Sequence, residues 1–138
     1  GFEFRKKCGC VYKIGKLFMK TRPLTADDIF ALQAEFCSIF QNAKRLKILW
    51  RLGDGEMTVT RIADEAGMSL SNASQHLRVM KDRRIITSRK EGQKIFYRIT
   101  NDKFIQGPSL IWQGVAEEYG LDPDEVKKAL SGEAAIRP

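Results

Sequence analysis

A mainly helical fold with one small β-hairpin is what this sequence predicts, and three observations predict it. Apolar residues recur at helical spacing through most of residues 25–82. Residues 85–99 switch to period two, with β-branched and aromatic residues on either side of a glycine. Immediately before that hairpin stand a short helix, a glycine turn and a longer helix. That order is the winged helix-turn-helix arrangement.

Each element rests on its own signals. Residues 1–24 lack sustained periodicity and hold Gly1, Gly9, Gly15 and Pro23, so they read as a basic N-terminal arm. Met19 opens MKTRPLTADD, which has the look of a native start, with residues 1–18 then an upstream extension. Thr25 before Ala26, Asp27 and Asp28 is a helix N-cap with acids in the first turn. Ile29, Leu32, Phe36, Cys37 and Phe40 carry that helix to Gln41. Asn42 caps a second helix, expected to turn Leu46, Leu49 and Leu52 inward before Gly53-Asp54-Gly55 ends it. Thr58 caps a short helix, Val59 to Ala66, with Ile62, Ala63 and Ala66 inward and Gly67 as its left-handed terminator.

Ser69 caps the longer helix, which runs to about Asp82 with Ala73, Leu77 and Met80 as its inner stripe. The hairpin pairs Ile85 to Lys90 with Lys94 to Ile99 across Glu91-Gly92-Gln93, and Ile95, Tyr97 and Ile99 should share its covered face. Asn101 caps a last long helix carrying Phe104, Ile105, Ile111, Trp112, Val115 and Tyr119, with a break or kink expected at Gly107-Pro108. Asp122-Pro123-Asp124-Glu125 starts one more short helix, and residues 131–138 fray. The chain thus divides into an arm (1–24), a winged helix-turn-helix domain for DNA binding and dimerisation (25–120), and a short helix with tail (121–138).

Composition narrows the function. At 43% apolar and 30% charged, the mixture can build a core. No apolar run approaches the roughly 18 residues of a membrane span, and no secretory signal is visible. Three cysteines and a single histidine point to a reducing cytoplasm and away from histidine-based chemistry. No nucleophile–base pair, carboxylate dyad or phosphate loop stands out, which argues against an enzyme. The net charge of +7 is unevenly spread: residues 44–103 hold fourteen Lys and Arg against seven Asp and Glu, between two acidic segments. A block of that kind suits phosphate binding, although a plain solvated surface has the same charge pattern.

The outer face of residues 69–82 is small and polar, as a helix entering a major groove about 12 Å wide requires. Ser71, Asn72, Gln75 and His76 are the candidates for base contact, because Asn and Gln can pair with adenine edges and Ser is shorter and more permissive. Ser69, Ser74, Arg78, Arg89, Lys90, Gln93 and Lys94 are the candidates for phosphate contact. An ordinary amphipathic helical hairpin shares the periodicity, and a winged helix can also serve as a protein–protein module. The basic hairpin beside the polar helix favours DNA.

Residues Asn42 to Ile99 closely resemble the ArsR/SmtB transcriptional repressors, above all in RLKIL, SLSNASQHLRVMKDRRII and RKEGQKIFYRI. LQAEFCSIF and NDKFIQGPSLI are similar to that family's first and last helices. The resemblance implies a homodimer joined through those helices, bound to double-stranded operator DNA and released by an inducer. It also implies inducer sites, from which this chain departs. The family's Cys-x-Cys metal pair falls at Thr58 and Thr60, poor ligands for a soft ion. Its Asp and His pairs on the last helix lack a histidine here, and of its cysteine pair on the first and last helices only Cys37 is present, the other falling near Pro108. Cys8, Cys10 and Cys37 remain: three sulfurs that could take As(III), Sb(III) or a similar thiophilic ion, or could oxidise. The alternatives are a Cys37 that only fills a helix interface and an arm with no ligand, leaving a regulator without a metal site.

Overall fold

In the computed structural model, which describes residues 23–131, the chain divides after Gln41 into two units. The first holds helix α1, Ala26–Cys37, started by the capping box that the sequence announces. Asp28 N–H donates to Thr25 Oγ1 at 3.2 Å, and Thr25 N–H donates back to Asp28 Oδ2 at 3.0 Å. The expected continuation to Gln41 narrows instead to a 3-10 turn, Ser38–Gln41. There Ser38 Oγ donates to the Glu35 carbonyl at 2.6 Å, which tightens the helix end. Phe36 and Phe40 meet edge to face at 5.8 Å. No residue of α1 is buried.

The second unit begins with α2, Ala43–Leu52, whose first turn is held by Asn42 Oδ1, acceptor for the amides of Lys44 and Arg45. Its buried stripe is Ile48, Leu49 and Leu52. Leu46, expected inward, is exposed, and Ile48 takes its place in the core. A two-residue strand β1, Met57–Thr58, follows, then α3, Val59–Ala66, and α4, Leu70–Asp82. Thr58 and Ser69 accept the amides of Arg61 and Asn72 as N-caps. Gly67 turns the chain between the two helices at φ 65°, and Met68 N–H closes on the Ala63 carbonyl at 3.0 Å.

Strands β2, Ile86–Glu91, and β3, Lys94–Ile99, form the hairpin, in register from Ile86 opposite Ile99 to Glu91 opposite Lys94. β1 pairs with the far edge of β3, Met57 opposite Tyr97 and Thr58 opposite Phe96, giving an antiparallel sheet in the order β1-β3-β2. The sequence reading missed β1, since two residues are too few to show a period. Ile95 was expected on the covered face but is exposed. It sits at the hairpin tip, one pair beyond the last residues that β1 backs.

Helix α5, Lys103–Tyr119, holds Pro108 inside it, so of the break or kink expected there the break does not occur. Pro108 lies in the second turn, where its ring removes a single amide donor from a long helix. Asn101, expected as the cap, falls one residue short: the N-cap position is Asp102, which makes no side-chain cap bond, and Asn101 Oδ1 accepts the Lys103 amide at 3.0 Å from just outside the helix. Gly120 at φ 64° ends α5, and α6, Pro123–Ser131, starts with proline in its first position. Ile48, Leu49, Ile62, Leu77, Met80, Ile85 and Ile86 are the largest fully buried side chains, so the core lies where α2, α3, α4 and the root of the hairpin meet. Among the described residues no helix is long and apolar enough to cross a membrane.

Candidate nucleic-acid interface

The two sides of α4 differ sharply. Ala73, Leu77 and Met80 are completely buried, and this fixes which side chains are left outside. Ser71, Ser74, Gln75 and Arg78 are exposed, while Asn72 and His76 are half-buried along the same helix. Ser69 Oγ is engaged as the cap of α4, accepting the Asn72 amide at 3.1 Å, and its hydroxyl proton remains free to donate outward. The helix N-terminus therefore carries Ser69, Ser71 and Asn72 together.

His76 carries a further observation. Partial burial, followed by the charges of Arg45 and Lys44, lowers its affinity for a proton below the ordinary value. The ring is thus neutral at physiological pH, one nitrogen a donor and the other an acceptor. Lys44 and Arg45, in the first turn of α2, thus act electrostatically on this face.

The wing brings its expected cations to different ends. Lys90, Gln93 and Lys94 are exposed around the tip, where Gly92 turns at φ 58°. Arg89 is committed inside the wing. Its Nε donates to Glu56 Oε1 and its Nη1 to Glu91 Oε2 at 2.7 Å, while the guanidinium lies 4.6 Å over the Phe96 ring. Its charge is matched by two carboxylates, so it braces β2 against the β1 end of the sheet. Lys81 is likewise engaged, its Nζ donating to Ser88 Oγ at 2.7 Å and tying α4 to the wing.

Of the cysteines, Cys37 is free and exposed on α1, whereas Cys8 and Cys10 lie outside the described residues. Thr58 and Thr60 line a groove with Val59, Asp64, Gln93 and Ile95, and no group of three or more His, Cys, Asp or Glu side chains that could hold a metal ion assembles among the described residues.

A polar recognition face on the second helix of a helix-turn-helix, with a basic wing alongside, defines the class of winged helix-turn-helix proteins. A family model described as a helix-turn-helix domain matches residues 42–89. The HTH-type transcriptional regulator KmtR of Mycobacterium tuberculosis is 36% identical over 76 residues, and this chain spans 58% of its length. Nodulation protein NolR of Rhizobium meliloti is 33% identical over 97 residues, covering 70% of this chain and 76% of NolR. Among solved structures, the homodimeric winged helix-turn-helix domain of Mb0332 from Mycobacterium bovis, a possible ArsR-family regulator, superposes with a TM-score of 0.61. It is 30% identical, over 72% of this chain and 91% of that one. The chain belongs to the ArsR/SmtB family of winged helix-turn-helix transcriptional regulators.

Proposed function

We propose that this chain is a homodimeric repressor that binds double-stranded operator DNA in the cytoplasm and performs no catalysis. The observation that carries this reading is the division of α4 into a fully buried inner stripe and an outer face of Ser71, Asn72, Ser74, Gln75 and Arg78. Inserted in a major groove, that face puts Ser71, Asn72, Gln75 and His76 against base edges. Ser69, Ser74, Arg78, Lys90, Gln93 and Lys94 then meet phosphates, while Arg89 stiffens the wing that carries them.

Pairing through α1 and α5 would set two recognition helices about 34–36 Å apart, one turn of the duplex. Supporting it, α5 leaves Leu110 and Ile111 at 66% and 70% exposure, and α1 leaves Ile29 and Phe30 open. The relative Mb0332 is itself described as homodimeric.

Salt dependence tests the reading. The logarithm of duplex affinity should fall linearly with the logarithm of salt, by about 0.9 per phosphate neutralised. Salt-independent binding, or no binding to a panel of random duplexes, would show a protein–protein module instead. Release from DNA would act through thiols, for which Cys37 is open on α1. The reduced protein should leave its operator on addition of As(III) or Sb(III), or of a mild oxidant. A Cys8/Cys10 double variant that keeps the response would remove the arm as sensor.

A further inference from the structure

A hollow of about 420 Å³ lies between α2, α5 and α6, walled by Leu46, Trp50, Ile105, Pro108, Trp112 and Leu130. Its size falls in the range of small-molecule sites, roughly 300–1,000 Å³, and its walls are apolar and aromatic as such sites usually are. Two residues of the wall carry polar groups that lack a full partner. The indole Nε1 of Trp112 is shielded from solvent and has no hydrogen-bond partner. An indole N–H can only donate, so what it lacks is an acceptor. The second group is Arg51, half-buried on the same wall, with no carboxylate partner among the described residues. Its one hydrogen bond reaches the Leu130 carbonyl at 3.5 Å, the outer limit of such a bond. Lys47 contributes its stem, since its ammonium lies near Gly67 at the end of α3. No Asp or Glu lines the hollow.

We propose that this hollow is a binding site for a small aromatic or branched aliphatic carboxylate. The apolar body lies between Trp50 and Trp112, and the carboxylate accepts from the Arg51 guanidinium and the Trp112 indole N–H. The charges fit one sign only: an unmatched guanidinium and an orphaned donor call for an anion, and a neutral hydrocarbon would leave both unsatisfied. Helix α6 closes the site. None of its residues is buried, so it can move aside to admit a ligand.

The chain's two tryptophans both line the hollow, so intrinsic fluorescence reports its occupancy directly. The probe is 4-phenylbutyrate, compared with its neutral amide, titrated into the full chain without DNA. The carboxylate should give a saturable change, with the amide at least roughly tenfold weaker, the loss expected when a charged hydrogen-bond partner goes missing. Arg51→Met should abolish the preference for the acid while leaving Trp50 and Trp112 as reporters. Ile105→Trp, which fills the hollow, should abolish binding of both ligands, and circular dichroism checks that each variant is folded. No saturable response, equal affinity for acid and amide, or a preference that survives Arg51→Met overturns the proposal. Because the readout needs no DNA, it stands or falls apart from the repressor reading.

Discussion

At the scale of single residues, Gln75, Lys94 and Arg89 separate three roles that charge and polarity alone confuse. Gln75 is exposed on α4 with both amide ends available, so Gln75→Ala should cost about 1–3 kcal/mol on operator DNA and relax preference at one base pair. Equal losses on operator and random duplexes would refute its reading role. Lys94→Ala should weaken every sequence alike and reduce the salt slope by about one. Arg89→Ala should also weaken binding, yet leave the slope unchanged, because its charge is already spent on Glu56 and Glu91. A drop in slope equal to that of Lys94→Ala would show that Arg89 touches phosphate after all. His76 gives a test in pH. Its proton affinity is lowered in the folded state, so the unfolded chain binds the proton more readily. Stability should therefore fall as pH drops through 6.5 and level off below the folded value. Denaturant titrations of wild type and His76→Gln across that window should show a flatter profile for the variant, and superimposable profiles would discard the assignment.

At the scale of elements, the helix-turn-helix was legible because its punctuation is local. Thr58, Gly67 and Ser69 act on amides and carbonyls within a few residues of themselves, and each does in the structure what its residue type announces. Gly67→Ala should destabilise by about 1–2 kcal/mol, since alanine resists a φ of 65°. Gly67→Asn should recover part of that loss; equal melting of all three proteins would mean the turn has another origin. The end of α4 at Asp82 was legible, but the turn that follows it was not. Arg84 takes the left-handed turn at φ 60°, with no glycine to signal it. What holds it lies elsewhere: Ile85 is wholly buried, and Thr100 Oγ1 donates to the carbonyls of Arg84 and Ile85 at 2.7 and 2.9 Å. Pro108 is the converse case, a breaker signal that the rest of α5 overrode.

At the scale of the whole molecule, the apolar surface on α5 looks for a second copy. Gly107 and Gly114 have open space about them and fall on the same side as Leu110 and Ile111, a stripe on which another helix can come close. Ile111→Lys should shift the protein from dimer to monomer in analytical ultracentrifugation and weaken operator binding in parallel. A variant that remains dimeric would move the interface off this face.

Sequence alone determined the helices of the DNA-binding half, their caps, the hairpin and the polar face of α4. Those features depend on hydrogen bonds and side-chain spacing within a turn or two of chain. Tertiary structure decided which cations stay open and which are matched, because Glu56 reaches Arg89 across 33 positions of sequence. It also decided that β1 closes the sheet, and that two tryptophans 62 residues apart share one hollow with Arg51. Such pairings form only when distant segments pack, and no local pattern encodes them.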